Sequence, residues 1–222
     1  MIITIDGPAA AGKGTLCSYL SKHYKLAYFD TGMVYRAVGL DMVLQNLNLQ
    51  DEETAEKIAK SLTFEKMMML SKHPDFRSDI GGSAASKVSA LPKVRAALLK
   101  MQQDFALNPV FADGTPANGV IYDGRDTGTV VCPNADIKLF VTASSEVRAK
   151  RRFDEFIAKG INTTYDKVLE DMIARDKRDQ ERASAPLKPA DDAIVFDTSD
   201  MTAQEEINKA IEIIEKKKHT IK

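Results

Sequence analysis

The sequence predicts an α/β fold built on a five-stranded parallel sheet flanked by helices, and three observations carry that reading. Short β-branched or apolar segments alternate with stretches whose apolar residues recur at helical spacing. Each short segment is closed by a polar or Gly-containing turn before the next helix begins. The first of them runs directly into a glycine-rich stretch and then a helix. Alternation of this kind marks parallel strands joined by crossover helices, and such sheets receive ligands outside the carboxyl ends of their strands.

Ile2, Ile3 and Ile5 form the first strand, which ends at Asp6-Gly7-Pro8, and Leu16 and Leu20 after Gly14 open the first helix. Leu26 to Phe29 reads as the second strand, closed by Asp30-Thr31-Gly32, with Val34, Val38, Leu40 and Val43 on the helix that follows. Residues 51–107 differ in character. Asp51 is placed as an N-cap, Met67 to Met69 as a turn, Pro74 and Gly81-Gly82 as breakers, and Val94, Leu98, Met101 and Phe105 as one helical stripe. Strand character returns at Val120-Ile121-Tyr122, at Ile137 to Val141 and at Ala193 to Phe196. The expected organisation is a core of residues 1–36 and 108–222, with a short lid near 148–164, interrupted by a mostly helical insertion of residues 37–107.

Composition narrows the function classes. The 222 residues leave no room for a multidomain machine, and 44% hydrophobic with 28% charged residues is enough apolar material for a core. Lys+Arg 31 against Asp+Glu 32 gives a net charge of −1, so any affinity for anions must be local and nucleic acid is not an expected partner. Cys17 and Cys132 are too few for a disulfide framework and fit a reducing compartment. No stretch approaches the ~18 consecutive apolar residues of a membrane span, and a cytoplasmic protein with no membrane partner is expected.

Gly7-Pro8-Ala9-Ala10-Ala11-Gly12-Lys13 matches G-x-x-x-x-G-K between a predicted strand and a predicted helix, the setting in which that motif has meaning. Glycines and small alanines let backbone N–H groups turn inward on a phosphate, and the helix N-terminus adds a positive dipole end. Lys13 then reaches the β- and γ-phosphates as a point charge. The residue after it is Gly14 with Thr15 behind, so the usual Ser/Thr magnesium ligand is displaced by one position.

Further segments, in order, resemble the bacterial cytidylate kinases. They are Ile5 through Thr15, Asp30-Thr31-Gly32-Met33-Val34-Tyr35-Arg36, Ser86 through Arg95, Asp123-Gly124-Arg125-Asp126-Thr127-Gly128, and Arg175 through Arg182 followed by Ala185-Pro186-Leu187. The resemblance implies a P-loop kinase of the monophosphate kinase type, a monomer that moves the γ-phosphoryl group of ATP to CMP or dCMP with Mg²⁺. It implies that Gly7 to Thr15, Arg148 and Arg152 bind ATP, the two arginines from the lid. It further implies that Arg36 and Arg125 hold the acceptor phosphate and that Ser86, Arg95 and Asp126 read the cytosine. Thr31 and Tyr35 join that acceptor set, Asp179 and Arg182 engage the sugar hydroxyls, and Lys13, Arg125, Arg175 and Arg178 serve the transfer.

The residue types agree with such a pocket. Arg grips a phosphate bidentately, and a carboxylate at Asp126 accepts from the exocyclic N4 amine that uracil lacks. Asp123, at the end of its strand, is the candidate Walker-B-like carboxylate, ordering magnesium with Thr15, directly or through water. Arg175, Arg178, Asp179 and Arg182 lie at i, i+3, i+4 and i+7 on one helix face; on spacing alone a solvated face laced by ion pairs is the commoner fate of such a run. Arg151 is as readily a solvent-facing residue as a lid contact. Met67 to Met69 reads as core filler, and His23, His73 and His219 need no catalytic part, because an ionised phosphate acceptor requires no general base. The rivals are a related kinase with another acceptor such as UMP, and a nucleotide switch that hydrolyses ATP without an acceptor. Within the insertion, Leu62 to Phe76 is short and Met-rich where the family carries a small three-stranded sheet, so a reduced or altered sheet is expected there. Asn108 to Asn118 is a longer loop than usual.

Overall fold

The computed structural model describes residues 1–220. The chain runs through β1 (Ile2–Asp6), α1 (Lys13–Tyr24), β2 (Ala27–Asp30) and α2 (Gly32–Leu44). Then come α3 (Glu52–Lys60), α4 (Phe64–Leu70), a 3₁₀ turn at Pro74–Arg77, α5 (Asp79–Val88) and α6 (Pro92–Leu107). It continues with β3 (Val120–Gly124), a turn of π-helix at Thr127–Val131, β4 (Ile137–Thr142), α7 (Ser145–Ala158), α8 (Tyr165–Glu181), β5 (Ile194–Asp197) and α9 (Ala203–Thr220). No helix among the described residues is long and apolar enough to cross a membrane.

Two compact units emerge. The first comprises Met1–Phe29, Asn108–Glu181 and the chain from Ala185 onward. Its sheet has the order β2-β3-β1-β4-β5, with β1 parallel to both β3 (Ile3 opposite Ile121) and β4 (Ile3 opposite Ile137), and β4 parallel to β5. A central parallel strand is covered on both faces and must be apolar on both. Ile3 and Ile5 are accordingly fully buried, and Thr4 and Asp6 are the polar exceptions. Leu16, Leu20, Ile121, Leu139, Phe196, Ile207 and Ile214 complete one core between the sheet, α1 and α9. The observed β2 and β5 each begin one residue later than their predicted starts at Leu26 and Ala193.

The second unit, Asp30–Leu107 with Arg182–Ser184, is helical, α2 packing on α5 and α3 on α6. Asp51 caps α3 as expected, its carboxylate accepting from the Thr54 N–H at 3.1 Å. Three expectations are corrected here. No strand lies between β2 and β3 among the described residues, so the expected remnant of a sheet is replaced by α4 and the 3₁₀ turn. Met67 to Met69 is helix and not turn, because Thr63 caps the segment through the Lys66 N–H and unbranched methionines lose little rotamer freedom in a helix. Of the three only Met67 is core; Met68 and Met69 are exposed. Gly81 and Gly82 do not break α5 but lie inside it. A Cβ on Gly81 would come within 2.4 Å of the Asp75 carbonyl oxygen, so the glycine permits a close backbone approach.

In the first unit, the 108–118 loop folds back on itself through an isolated antiparallel bridge between Val110 and Pro116. The Phe111 N–H donates to the Thr115 carbonyl at 2.8 Å.

Candidate active site

In the first unit the glycine-rich loop joins the end of β1 to the start of α1. Gly7 has φ +150°, and a Cβ there would lie 1.9 Å from the carbonyl oxygen of Val141 on β4, so only glycine lets the loop leave the sheet at this point. Ala10 (φ 57°) and Gly12 (φ 93°) are also in the left-handed region, and Ala11 is fully buried. The first turn of α1 carries no acidic side chain, leaving its positive dipole end uncompensated. Gly14 and Thr15 are exposed at that helix end.

Lys13 is 5% exposed; its Nζ donates to the Pro8 carbonyl at 2.7 Å and stands 3.9 Å from Asp123 Oδ1. Burial, and after it the charge of Arg125, lowers its pKa to about 8 against the opposing pull of Asp123. The loop's main cation is therefore sunk in the protein beside the end of β3.

That strand end supplies the next groups. Asp123 Oδ2 accepts from the Tyr28 hydroxyl at 3.3 Å, and Arg125 donates from Nε to Asp179 Oδ2 at 3.2 Å and from Nη1 to the Gly124 carbonyl at 3.1 Å. Asp126 is buried, and its carbonyl receives the Val130 N–H of the π-helical turn at 2.9 Å. The turn is tied to β1 by Asp6, whose carboxylate accepts from the Thr127 N–H and hydroxyl and from the Gly128 N–H at 2.7 Å. Burial raises the Asp6 pKa to about 6; the hydrogen bonds from Gly128 and Thr127 oppose it, and the charge of Asp126 adds to the rise.

Among the described residues no group of three or more His, Cys, Asp or Glu is arranged to hold a metal. Thr15 and Asp123 offer two oxygen donors beside the loop. That set suits an ion which brings most of its oxygens with a phosphate and keeps several waters, the habit of Mg²⁺.

On α7, Arg148 is buried and spends its donors inside the unit. It reaches the Ala143 carbonyl at 2.8 Å, the Ala9 carbonyl of the glycine-rich loop at 3.2 Å, Ser145 Oγ at 3.0 Å and Asp176 Oδ2 on α8 at 2.7 Å. Arg151, expected as readily in solvent as in a lid, is instead anchored to the loop after β5, donating to the Thr198 carbonyl at 2.8 Å and its hydroxyl at 3.2 Å. Arg152 lies over the Phe156 ring at 4.2 Å and pairs with Glu155 at 2.9 Å. On α8, Asp176 and Asp179 are buried, Arg175 is half-buried and Arg178 is exposed.

In the second unit, Thr31, Tyr35, Ser86 and Arg95 are all buried. The Arg95 guanidinium lies 5.2 Å from the Tyr35 ring centroid and donates to the Ser89 carbonyl at 3.1 Å. Arg36 donates to the Phe76 carbonyl at 2.8 Å, and Arg182, half-buried, follows the last residue of α8. This unit therefore gathers an aromatic face and guanidinium groups on a helical frame.

Sequence reading missed Asp6, Asp176 and Glu206, a buried residue on α9. The signal for Asp6 was present: a carboxylate closing a strand that is apolar on both faces is almost never buried without partners.

A family model described as cytidylate kinase matches residues 3–216. The cytidylate kinase of Paramagnetospirillum magneticum is 48% identical over 217 residues, covering 98% of this chain and 99% of that protein. The cytidylate kinase of Rhodospirillum rubrum is 48% identical over 216 residues, covering 96% and 97%. In fold, the crystal structure of shikimate kinase from Bacteroides thetaiotaomicron superposes with a TM-score of 0.50 at 12% identity over 97% of this chain and 98% of that one. With that family model matching residues 3–216 and relatives 48% identical over nearly their full length, the chain belongs to the cytidylate kinase family.

Proposed function

We propose that the protein transfers the γ-phosphoryl group of ATP to CMP or dCMP, giving ADP and CDP or dCDP. The observation that carries this reading is the buried Lys13 at the end of the glycine-rich loop, 3.9 Å from Asp123 and within the field of Arg125. Phosphoryl transfer asks little covalent chemistry of a protein; it asks for in-line placement and positive charge around the migrating group.

The backbone N–H groups of Gly7 and of Ala9 to Thr15, with the N-terminus of α1, hold the ATP phosphates. Lys13 exchanges the Pro8 carbonyl for a phosphate oxygen, and Arg125 with Arg175 and Arg178 balances charge on the transferred group. Thr15 and Asp123 would hold Mg²⁺, directly or through water, and the ion would supply positive charge to the triphosphate. Arg36 and Arg125 bind the acceptor phosphate, whose attacking oxygen is already ionised near neutral pH. Asp126 accepts from the cytosine N4 amine, with Ser86 and Arg95 on the same base, while Thr31 and Tyr35 complete the acceptor set. Asp179 orients Arg125 and accepts from the sugar hydroxyls, to whose oxygens Arg182 donates. Arg148 supports ATP binding through the Ala9 carbonyl that it fixes, and Arg152 closes over the nucleotide, excluding water that would turn a kinase into an ATPase.

The test is initial-rate ADP formation from Mg-ATP with CMP, dCMP, UMP, AMP and no acceptor. Fast turnover confined to the two cytidine nucleotides is expected; equal rates with and without acceptor would overturn the reading.

A further inference from the structure

Within the first unit β2 lies beside β3 in the sheet, and side chains join the two strands on both faces. Asp123 is the register partner of Ile5, so its side chain stands on the face that carries α1. On the opposite face Phe29 packs against Tyr122, with ring centroids 5.4 Å apart. Successive strand residues alternate faces, so Tyr28, just before Phe29, and Asp123, just after Tyr122, meet on the α1 face. There the Tyr28 hydroxyl donates to Asp123 Oδ2 at 3.3 Å, while Oδ1 of the same carboxylate stands 3.9 Å from Lys13 Nζ. One oxygen faces β2 and the other the glycine-rich loop, and the bond from Tyr28 restrains the rotation that would exchange them.

Gly14 shows what this hydroxyl replaces. Unlike Gly7 and Gly12 it has no positive φ, and a Cβ on it would be in ordinary contact, 3.8 Å from Asp123 Oδ2 and 3.9 Å from the Tyr28 hydroxyl. Neither backbone nor space therefore demands a glycine here. The G-x-x-x-x-G-K motif is ordinarily followed by Ser or Thr at this place. A hydroxyl on residue 14 would reach the oxygen that Tyr28 holds. Tyr28 is itself 37% exposed, so filling the core is not what its side chain supplies.

We propose that Tyr28 is a positioning residue for Asp123: its hydroxyl, delivered from β2, takes the part of the hydroxyl missing at position 14 and keeps Oδ1 turned toward the loop. The inference rests on the reading of Asp123 as a residue that serves the Mg²⁺ of Mg-ATP. Groups that orient a ligating carboxylate tune its hold on the metal, and removing one typically costs about 10–100-fold in affinity.

The test measures ATP binding by calorimetry, with Mg²⁺ and with EDTA, for the wild type, Tyr28→Phe, Gly14→Ser and the double variant, beside the melting transition of each and steady-state kinetics with CMP. In Tyr28→Phe the Kd for Mg-ATP is expected to rise about tenfold, with the Kd for ATP in EDTA and the KM for CMP within about twofold of wild type. On the Gly14→Ser background the same change at Tyr28 is expected to cost less than about twofold, because the serine hydroxyl reaches the oxygen left open. An equal rise in both Kd values would make Tyr28 structural only and overturns the proposal. So does an unchanged Kd for Mg-ATP in a Tyr28→Phe protein that keeps the wild-type melting transition, and so does a loss just as large on the Gly14→Ser background. Wild-type ATP binding that is indifferent to Mg²⁺ overturns it as well. A wild type that shows the expected Mg²⁺ and Tyr28 dependence yet forms no ADP with CMP would remove the kinase reading while leaving the part of Tyr28 standing.

Discussion

Asp6 Oδ1 accepts hydrogen bonds from both the backbone N–H and the hydroxyl of Thr127, each at 2.8 Å. The last residue of β1 thus fixes the turn that follows Arg125 and Asp126, and the carboxylate that does so is nearly inaccessible to solvent. The position of the Arg125-Asp126 segment and the charge state of a buried carboxyl are consequently one problem.

Stability should register that coupling. Asp6 has a folded pKa of about 6 against an ordinary 3.8, so the folded state holds its proton more tightly than the unfolded chain. Its contribution is fully present below pH 3.8 and is lost as pH rises through about 6. Relative to Asp6→Asn, which does not titrate, the wild type should lose on the order of 2–3 kcal/mol between pH 4 and 7. Urea denaturation of both proteins across that range measures it, and parallel curves would reject the assignment.

Lys13 is expected to act as an ammonium. With its pKa lowered to about 8 in the free protein, kcat/KM for ATP should decline on the alkaline side of that value. Lys13→Ala should reduce kcat by at least about 10²-fold, the scale of losing a preorganised charge on a transferring phosphoryl group. Near-normal turnover in that variant would remove Lys13 from the transfer.

Base selection at the acceptor should be separable from donor binding. Asp126→Ala is expected to lower kcat/KM for CMP by about 10²-fold or more, because the cytosine amine loses its acceptor, while the Kd for ATP stays unchanged. Steady-state kinetics with CMP and calorimetry with ATP check the two halves, and an equal loss of ATP affinity would show that the residue is misplaced.

The Arg148–Asp176 pair, 2.7 Å apart with side chains 5% and 12% exposed, is an internal strut from α7 to α8 that also reaches the Ala9 carbonyl. Arg148→Met should destabilise the fold by about 3–5 kcal/mol because it strands a buried carboxylate. Replacing both partners, Arg148→Met with Asp176→Leu, should recover much of that stability but not the KM for ATP, since the tie to the loop stays broken. Recovery of both would make the pair structural only.

The sheet was legible because each core strand is a compact apolar run between turn residues, and the glycine-rich loop because its residues are contiguous. Tertiary contact decided what was not legible. Met67 to Met69 resembles a loop until Thr63 is seen to cap it, and Gly81 resembles a breaker until the Asp75 carbonyl is found against it. Asp6 meets Thr127 across 121 positions, and Arg148 meets Asp176 across 28, distances over which no local pattern reports. Arg148 and Arg152 look alike in sequence, yet one is sunk among carbonyls and the other rests on a phenyl ring.

The sheet order also governs when this protein can come into being on the ribosome. β1 precedes both of its neighbours along the chain, since it lies between β3 and β4, so Ile3 waits for Ile121 and Ile137 before its two edges are paired. Contacts of such long sequence separation carry a large loop-closure cost and form late. Gly7 leaves the sheet against Val141, so the loop has nothing to lean on until β4 has emerged. A nascent chain is therefore without the geometry of its glycine-rich loop until β4 has been made, and a ligand of that loop can act as a folding ligand only after that point.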